Sequence, residues 1–191
     1  MGLPACRDLT ALPEALATDC VHLFVVGPGT GEALAVALPG GVWLVVDSCR
    51  TGSGAQRALP LQHLIARFGG NHTETRWLLL THPHADHAGG LAELIDHVTP
   101  SWIGVTGPDP ARNLAAEVVQ QPSSGSTAAL LRRAAVRTAV RRINSWHHDH
   151  PGRLLGLSAG ATLPDSGEVS CRCHVACKRR SRRSGYGRGA R

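Results

Sequence analysis

The stretch that decides the fold is RWLLLTHPHADHAGGLAEL, residues 76–94. Its opening, RWLLLTH, is an apolar run of the length of a short buried strand. From Gly89 to Val98 the chain reads GGLAELIDHV, with Leu91, Leu94, Ile95 and Val98 at helical spacing. Between strand and helix stand His82, His84, Asp86 and His87, three imidazoles and a carboxylate within six positions. A strand end is a rigid mount, and the loop beyond it is free to turn side chains inward. Neutral imidazoles suit zinc and other borderline first-row metals, and a carboxylate shares such sites. In H-x-H-x-D-H the first two histidines can point to the same side of an extended segment. Asp86 and His87 then fall past a bend, where they can serve a second metal. Two metals about 3.5–4 Å apart can share a hydroxide, lower its pKa and clamp an oxyanion. Gly89 and Gly90 let the chain turn sharply into the helix, whose N-terminal end favours anions. Four ligand-type residues at one strand-to-helix junction are hard to read as ordinary turn residues.

Upstream, HLFVVG (22–27) is a short apolar run ended by the turn-forming GPGTGE. ALAVALP alternates weakly, Gly40 and Gly41 turn the chain again, and VWLVVDS (42–48) is the strongest strand candidate, with Asp47 at its end. These segments predict an antiparallel meander. ALPLQHLIARFGG (58–70) predicts a helix closing on Gly69 and Gly70. Downstream, SWIGVTG (101–107) is another strand. The order strands, helix, strand, helix, strand implies an α/β layered fold with helices covering a sheet.

Residues 108–127 predict a loop, with a short helix around Asn113 to Val119. AALLRRAAVRTAVRRI (128–143) predicts a helix with Leu130, Leu131, Ala134, Val136, Val140 and Ile143 inward. Its Arg132, Arg133, Arg137, Arg141 and Arg142 are read as a solvated face rather than a phosphate-binding one. Residues 154–170 suggest short strands with Gly and Pro-Asp turns, and apolar patterning stops after Ser170.

Charge follows the same boundary. Residues 172–191 carry eight basic and no acidic side chains, whereas the first 171 carry twelve basic and fourteen acidic, so the +6 total belongs to the tail. A nucleic-acid argument from overall charge would therefore mislead. No window of about eighteen apolar residues exists, so no membrane span is expected. The N-terminus lacks a charged segment followed by an apolar one, and Cys6, Cys20 and Cys49 are scattered, so the expectation is a cytoplasmic chain with reduced thiols.

THPHADHAGG resembles the signature of the metallo-β-lactamase superfamily, and VVGPGTGEALAVALPGGVWLVVDS is similar to the opening of that fold. The nearest branch by resemblance is the metallo-β-lactamase-like domain of competence-type DNA-uptake proteins, although VGPGTGE departs from that branch's turn by two inserted residues. The resemblance covers residues 21–107 well and 108–170 poorly. It implies an αββα sandwich; together with the α/β element order and the lost patterning after Ser170, the expectation is an α/β fold, a partial αββα sandwich over residues 21–170, with residues 1–20 as a lead-in and 171–191 as a disordered basic tail. It implies that His82 and His84 bind one metal, that Asp86 and His87 bind a second, and that Asp86 also orients the attacking hydroxide. Asp47 would lie near the site as a hydrogen-bond acceptor supporting the ligands. The implied cofactor is zinc, one or two ions, with manganese or iron suited to the same ligands. The implied activity is hydrolysis of an ester, lactam, thioester or phosphodiester, in a small-molecule or phosphodiester substrate.

Such a site also draws a His, a bridging Asp and a final His from the second half of the fold. SWHHDHPG (145–152) offers His147, His148, Asp149 and His150, but it follows an Arg-rich helix rather than a strand, and these are read as loop histidines. Asp165 is read as a turn former. The expectation is a truncated or frame-shifted member, native to about Ser170, with a catalytically inactive fragment as the alternative function. In the tail, Cys171, Cys173, His174 and Cys177 offer a small zinc site, and the arginines offer a nucleic-acid-binding arm.

Overall fold

Alternating apolar residues and a two-glycine turn build the first part of the sheet. In the computed structural model, which describes residues 14–27, 32–50, 60–69, 74–107, 109–110, 112, 114–115 and 126–165, His22–Val26 forms β1, Ala33–Leu38 β2 and Val42–Val46 β3. β1 pairs antiparallel with β2, and β2 with β3, so the expected meander is present. Gly40 and Gly41 turn β2 into β3 with φ of 84° and 79°, a region that L side chains rarely adopt.

Beyond the meander the chain alternates helix and strand. Pro60–Phe68 is α1, Glu74–Leu80 β4, Ala85–Ala88 α2, Leu91–Val98 α3 and Trp102–Thr106 β5. Thr127–Asp149 follows as helix α4, and Leu154–Leu157 closes as β6. β3, β4, β5 and β6 run parallel, and the six strands lie in the order β1-β2-β3-β4-β5-β6. A helical crossover between parallel neighbours puts helices against the sheet. Leu61, Leu64, Ile65 and Phe68 of α1 recur at helical spacing and are buried, as are Leu91, Leu94, Ile95 and Val98 of α3. They join Val45, Leu78, Leu80, Ile103 and Val105 from one sheet face in a single core cluster. β2 contributes Ala33, Ala35 and Ala37, whose small side chains let α1 approach the strand closely. Trp43 and Trp146 are fully buried in the same cluster, where a large apolar side chain contributes roughly 1.5–3 kcal/mol.

The other face of the meander is apolar but open. By register Leu23 and Val25 lie alongside Val36 and Leu34, and those alongside Leu44 and Val46. Leu23 and Val25 are 62% and 64% exposed.

Three expectations need correction. Asp86 and His87 do not sit on a loop: they lie within α2, four residues long and too short to leave a periodic signal. The helix predicted over 128–143 runs to Asp149, because Trp146, one turn past Ile143, is also buried. His147, His148 and Asp149 are therefore helical, not loop residues. Leu130, Leu131 and Ala134 are exposed rather than inward. Residues 110, 112, 114 and 115 are helical, within the segment expected to be a loop with a short helix. The glycine turn at 28–31, residues 116–125 and the whole tail from 166, including its cysteines and arginines, lie outside the described residues.

The chain divides into two compact units, residues 1–157 and 158–191. In the second, Ser158 O accepts a hydrogen bond from Ala161 N at 3.0 Å, and Pro164 and Asp165 form a turn, as expected for Asp165. Among the described residues, no helix is long and apolar enough to cross a membrane.

Candidate metal centre

β3 and β4 are parallel neighbours, so their C-terminal ends open onto the same edge of the sheet. In open α/β sheets that edge is where ligands bind. Asp47 follows β3 there, and Thr81 and His82 follow β4. The chain then passes through Pro83 and His84 into α2, which carries Asp86 and His87. A Cβ on Gly89 would stand 2.7 Å from the Ala85 carbonyl oxygen, and Gly90 has φ 86°, so both glycines are required for the turn into α3.

One His ring nitrogen each from His82 and His84 and a carboxylate oxygen of Asp86 lie within 4.8 Å of one another. The His82 ring centroid is 4.6 Å from that of His84 and 4.0 Å from that of His87. His87 stands outside the three-residue group, but its Nε2 is 3.5 Å from Asp86 Oδ2. Asp86 thus lies beside both the His82–His84 pair and His87, whose ring also packs against that of His82. The donor set fits a divalent first-row ion, since two imidazole nitrogens and a carboxylate oxygen suit zinc, manganese or iron. Burial holds the His82 imidazole below its ordinary pKa, and the neighbouring His87 and His84 rings push the same way against the opposing pull of Asp47 and Asp86. The neutral ring is the form that offers a lone pair to a metal.

Behind these residues lies Asp47, whose side chain is 6% exposed. Its Oδ1 accepts a hydrogen bond from Thr81 N at 2.7 Å, its Oδ2 lies 2.7 Å from Thr81 Oγ1, and the same Oδ2 lies 2.8 Å from His87 Nδ1. Asp47 itself has φ 60°, an uncommon conformation that Asp tolerates better than most residues. Ser48, also buried, locks the two segments together. Its N–H donates to His87 O at 2.8 Å, and its hydroxyl donates to Gly89 O at 3.1 Å. Sequence reasoning placed Asp47 correctly beside the motif but passed over Thr81 and Ser48, whose partners lie up to 41 residues away.

The histidines of SWHHDHPG do not reach this edge. His150 caps the end of α4 just before β6, and Arg153 O accepts from Ile103 N at the start of β5. Because β4, β5 and β6 are parallel, that is the opposite edge of the sheet from His82. His150 instead stacks on Trp146 at a centroid distance of 4.6 Å.

Residues 26–178 match the family described as the metallo-beta-lactamase superfamily. No curated protein matches the chain. Among solved structures the chain is similar to one described as the hydrolase AbOPH in the beta lactamase superfamily, at 17% identity and a TM-score of 0.40. That similarity covers 70% of this chain and 44% of the other, so the chain spans less than half the length of this relative.

Proposed function

The chain belongs to the metallo-beta-lactamase superfamily, and from that membership we propose that it is a metal-dependent hydrolase acting on an ester, lactam or phosphodiester. The observation that carries this reading is the convergence of His82, His84 and Asp86 within 4.8 Å at the end of β4. His82 and His84 would hold the metal, with Asp86 as a shared carboxylate and His87, beside both Asp86 and His82, as a further donor. Zinc is the favoured ion. When bound, such an ion supplies Lewis acidity and makes water a nucleophile at neutral pH. The Asp86 side chain is 48% exposed, open enough to meet a substrate and to orient an attacking water. Asp47 and Ser48 are buried and act through the segments they tie down.

The test is the metal content of purified protein by elemental analysis, beside a His82→Ala, His84→Ala double variant. A content approaching two zinc ions per chain, lost in the double variant, is the expected result, followed by hydrolysis of a generic ester, lactam or phosphodiester. Metal content equal in the two proteins would sink the assignment. A second reading rests on the same three-residue group: among the described residues it supplies donors for one ion, which suits a site that binds metal without turnover. One ion per chain with no hydrolysis would favour that reading.

A further inference from the structure

We propose that Thr81 is a positioning residue: with Asp47 it fixes which ring nitrogen of His82 is open to a metal. This rests on the reading of the edge as a metal centre, but the tautomer it concerns belongs to the metal-free protein.

The argument is a count of protons. A carboxylate only accepts hydrogen bonds, and a threonine hydroxyl has one proton to donate. Thr81 Oγ1 lies 2.7 Å from Asp47 Oδ2 and 3.0 Å from His82 Nδ1. If the hydroxyl proton pointed at His82, two oxygens bearing only lone pairs would face each other at 2.7 Å. The proton therefore lies toward Asp47. Toward His82 the hydroxyl can then only accept, so His82 Nδ1 carries the hydrogen and Nε2 keeps the lone pair. The same carboxylate oxygen is 2.8 Å from His87 Nδ1, which must likewise donate. One buried carboxylate thus sets two imidazoles as Nε2 ligands, His87 directly and His82 through the Thr81 hydroxyl.

The rest of the geometry keeps this arrangement rigid. Thr81 N donates to Asp47 Oδ1 at 2.7 Å, so both carboxylate oxygens are engaged by one residue. Asp47 N donates to Leu79 O at 2.7 Å, pinning the end of β3 to β4. Thr81 is β-branched, and its χ1 is restricted accordingly. The structure therefore assigns a preset ligand atom on the first histidine of the motif, one residue away from the group that sets it.

The test uses the full chain labelled with 15N-histidine, freed of metal, at about pH 8, where imidazoles are neutral. Long-range 1H–15N spectra distinguish the two neutral tautomers, and a His82→Gln spectrum identifies the His82 signals by difference. Thr81→Val keeps the size and branching and deletes the hydroxyl; Thr81→Ser keeps the hydroxyl. The expected result is the Nδ1–H tautomer for His82 in the wild type and in Thr81→Ser, and a shift toward Nε2–H in Thr81→Val. Zinc affinity should fall about 10- to 100-fold in Thr81→Val and recover in Thr81→Ser, the range for loss of a group supporting a metal ligand. A wild-type His82 in the Nε2–H form overturns the proposal, as does a Thr81→Val protein whose His82 tautomer is unchanged. A wild type that binds no zinc would sink the metal reading instead, and the tautomer of the metal-free protein would still decide the role of Thr81. If Thr81→Val does not fold, the wild-type spectrum alone carries the decision.

Discussion

Asp47 Oδ2 and His87 Nδ1 lie 2.8 Å apart across 40 residues of sequence. The contact joins the end of β3 to the only turn of α2, so the His-x-His-x-Asp-His motif is held from behind by a strand that contributes none of its residues. Asn in place of Asp47 keeps the side-chain shape and tolerates the positive φ of this position. Its amide nitrogen, however, must face at least one of the donors that now point at the carboxylate. Asp47→Asn should lower stability by about 1–3 kcal/mol, the cost of leaving a buried polar group unmatched. It should also weaken zinc binding about 10- to 100-fold. Urea unfolding of the metal-free protein and a zinc titration measure the two effects separately; wild-type values in both would mean that Asp47 is incidental.

A packing prediction concerns the middle of the parallel sheet. A Cβ on Gly104 would lie 2.7 Å from Leu79 Cδ2, 2.8 Å from Leu157 Cδ1 and 3.1 Å from Leu157 Cγ. Leu79 and Leu157 are 6% and 5% exposed, so neither has open space to move into. Gly104→Ala should destabilise by about 1–3 kcal/mol through overpacking. A denaturation midpoint within error of wild type would show that the two leucines repack freely.

These relationships explain how much of the molecule was legible in its sequence. All four ligand candidates fall within six consecutive positions, so their proximity needs no tertiary information. Asp47 was visible as a strand end, but its partners depend on the parallel register that sets Val46 opposite Leu79. Thr81 looked like a strand-ending residue, and only that register brings its hydroxyl to a carboxylate. The tail of α4 was missed because Asn144, Ser145, His147 and His148 are poor helix formers; burial of Trp146 overrides them. Leu130 and Leu131 were misplaced for the converse reason, since helical spacing says which residues share a face but not which of them a neighbour covers.

Acid should weaken the sheet through Glu74. The Arg76 guanidinium grips this carboxylate at 3.0 Å and 2.9 Å and holds its pKa below the ordinary 4.5; burial pushes the other way, and the Ser101 hydroxyl assists the lowering. A folded-state pKa below the unfolded one gives stabilisation that is present above the unfolded value and lost as pH falls through the folded value. Stability should therefore decline below about pH 4.5, and Glu74→Gln should flatten that part of the profile. The side chain is 43% exposed, so solvent screens the pair and the difference should be small. Urea midpoints of both proteins across the acid range test it; parallel profiles would assign the acid sensitivity to other carboxylates.

Cys49 should be chemically silent while the protein is folded. Only the thiolate reacts with alkylating reagents. Burial pushes the Cys49 thiol up to about 11, with the Asp47 charge adding to the effect, and the residue is 3% exposed. Its Sγ lies 3.7 Å from Val26 O, a contact that occupies the thiol proton. At about pH 8 the thiolate is on the order of a thousandth of the population, and even that fraction is sterically shielded. Cys20 provides the internal comparison: it too is raised, by its hydrogen bond to Asp19, but it is exposed. Iodoacetamide treatment followed by peptide mass mapping should label Cys20 in the native protein and leave Cys49 untouched until denaturant is added. Labelling of Cys49 at a rate comparable to Cys20 under native conditions would mean that the end of β3 opens locally, and with it the Asp47 contacts that position His82 and His87.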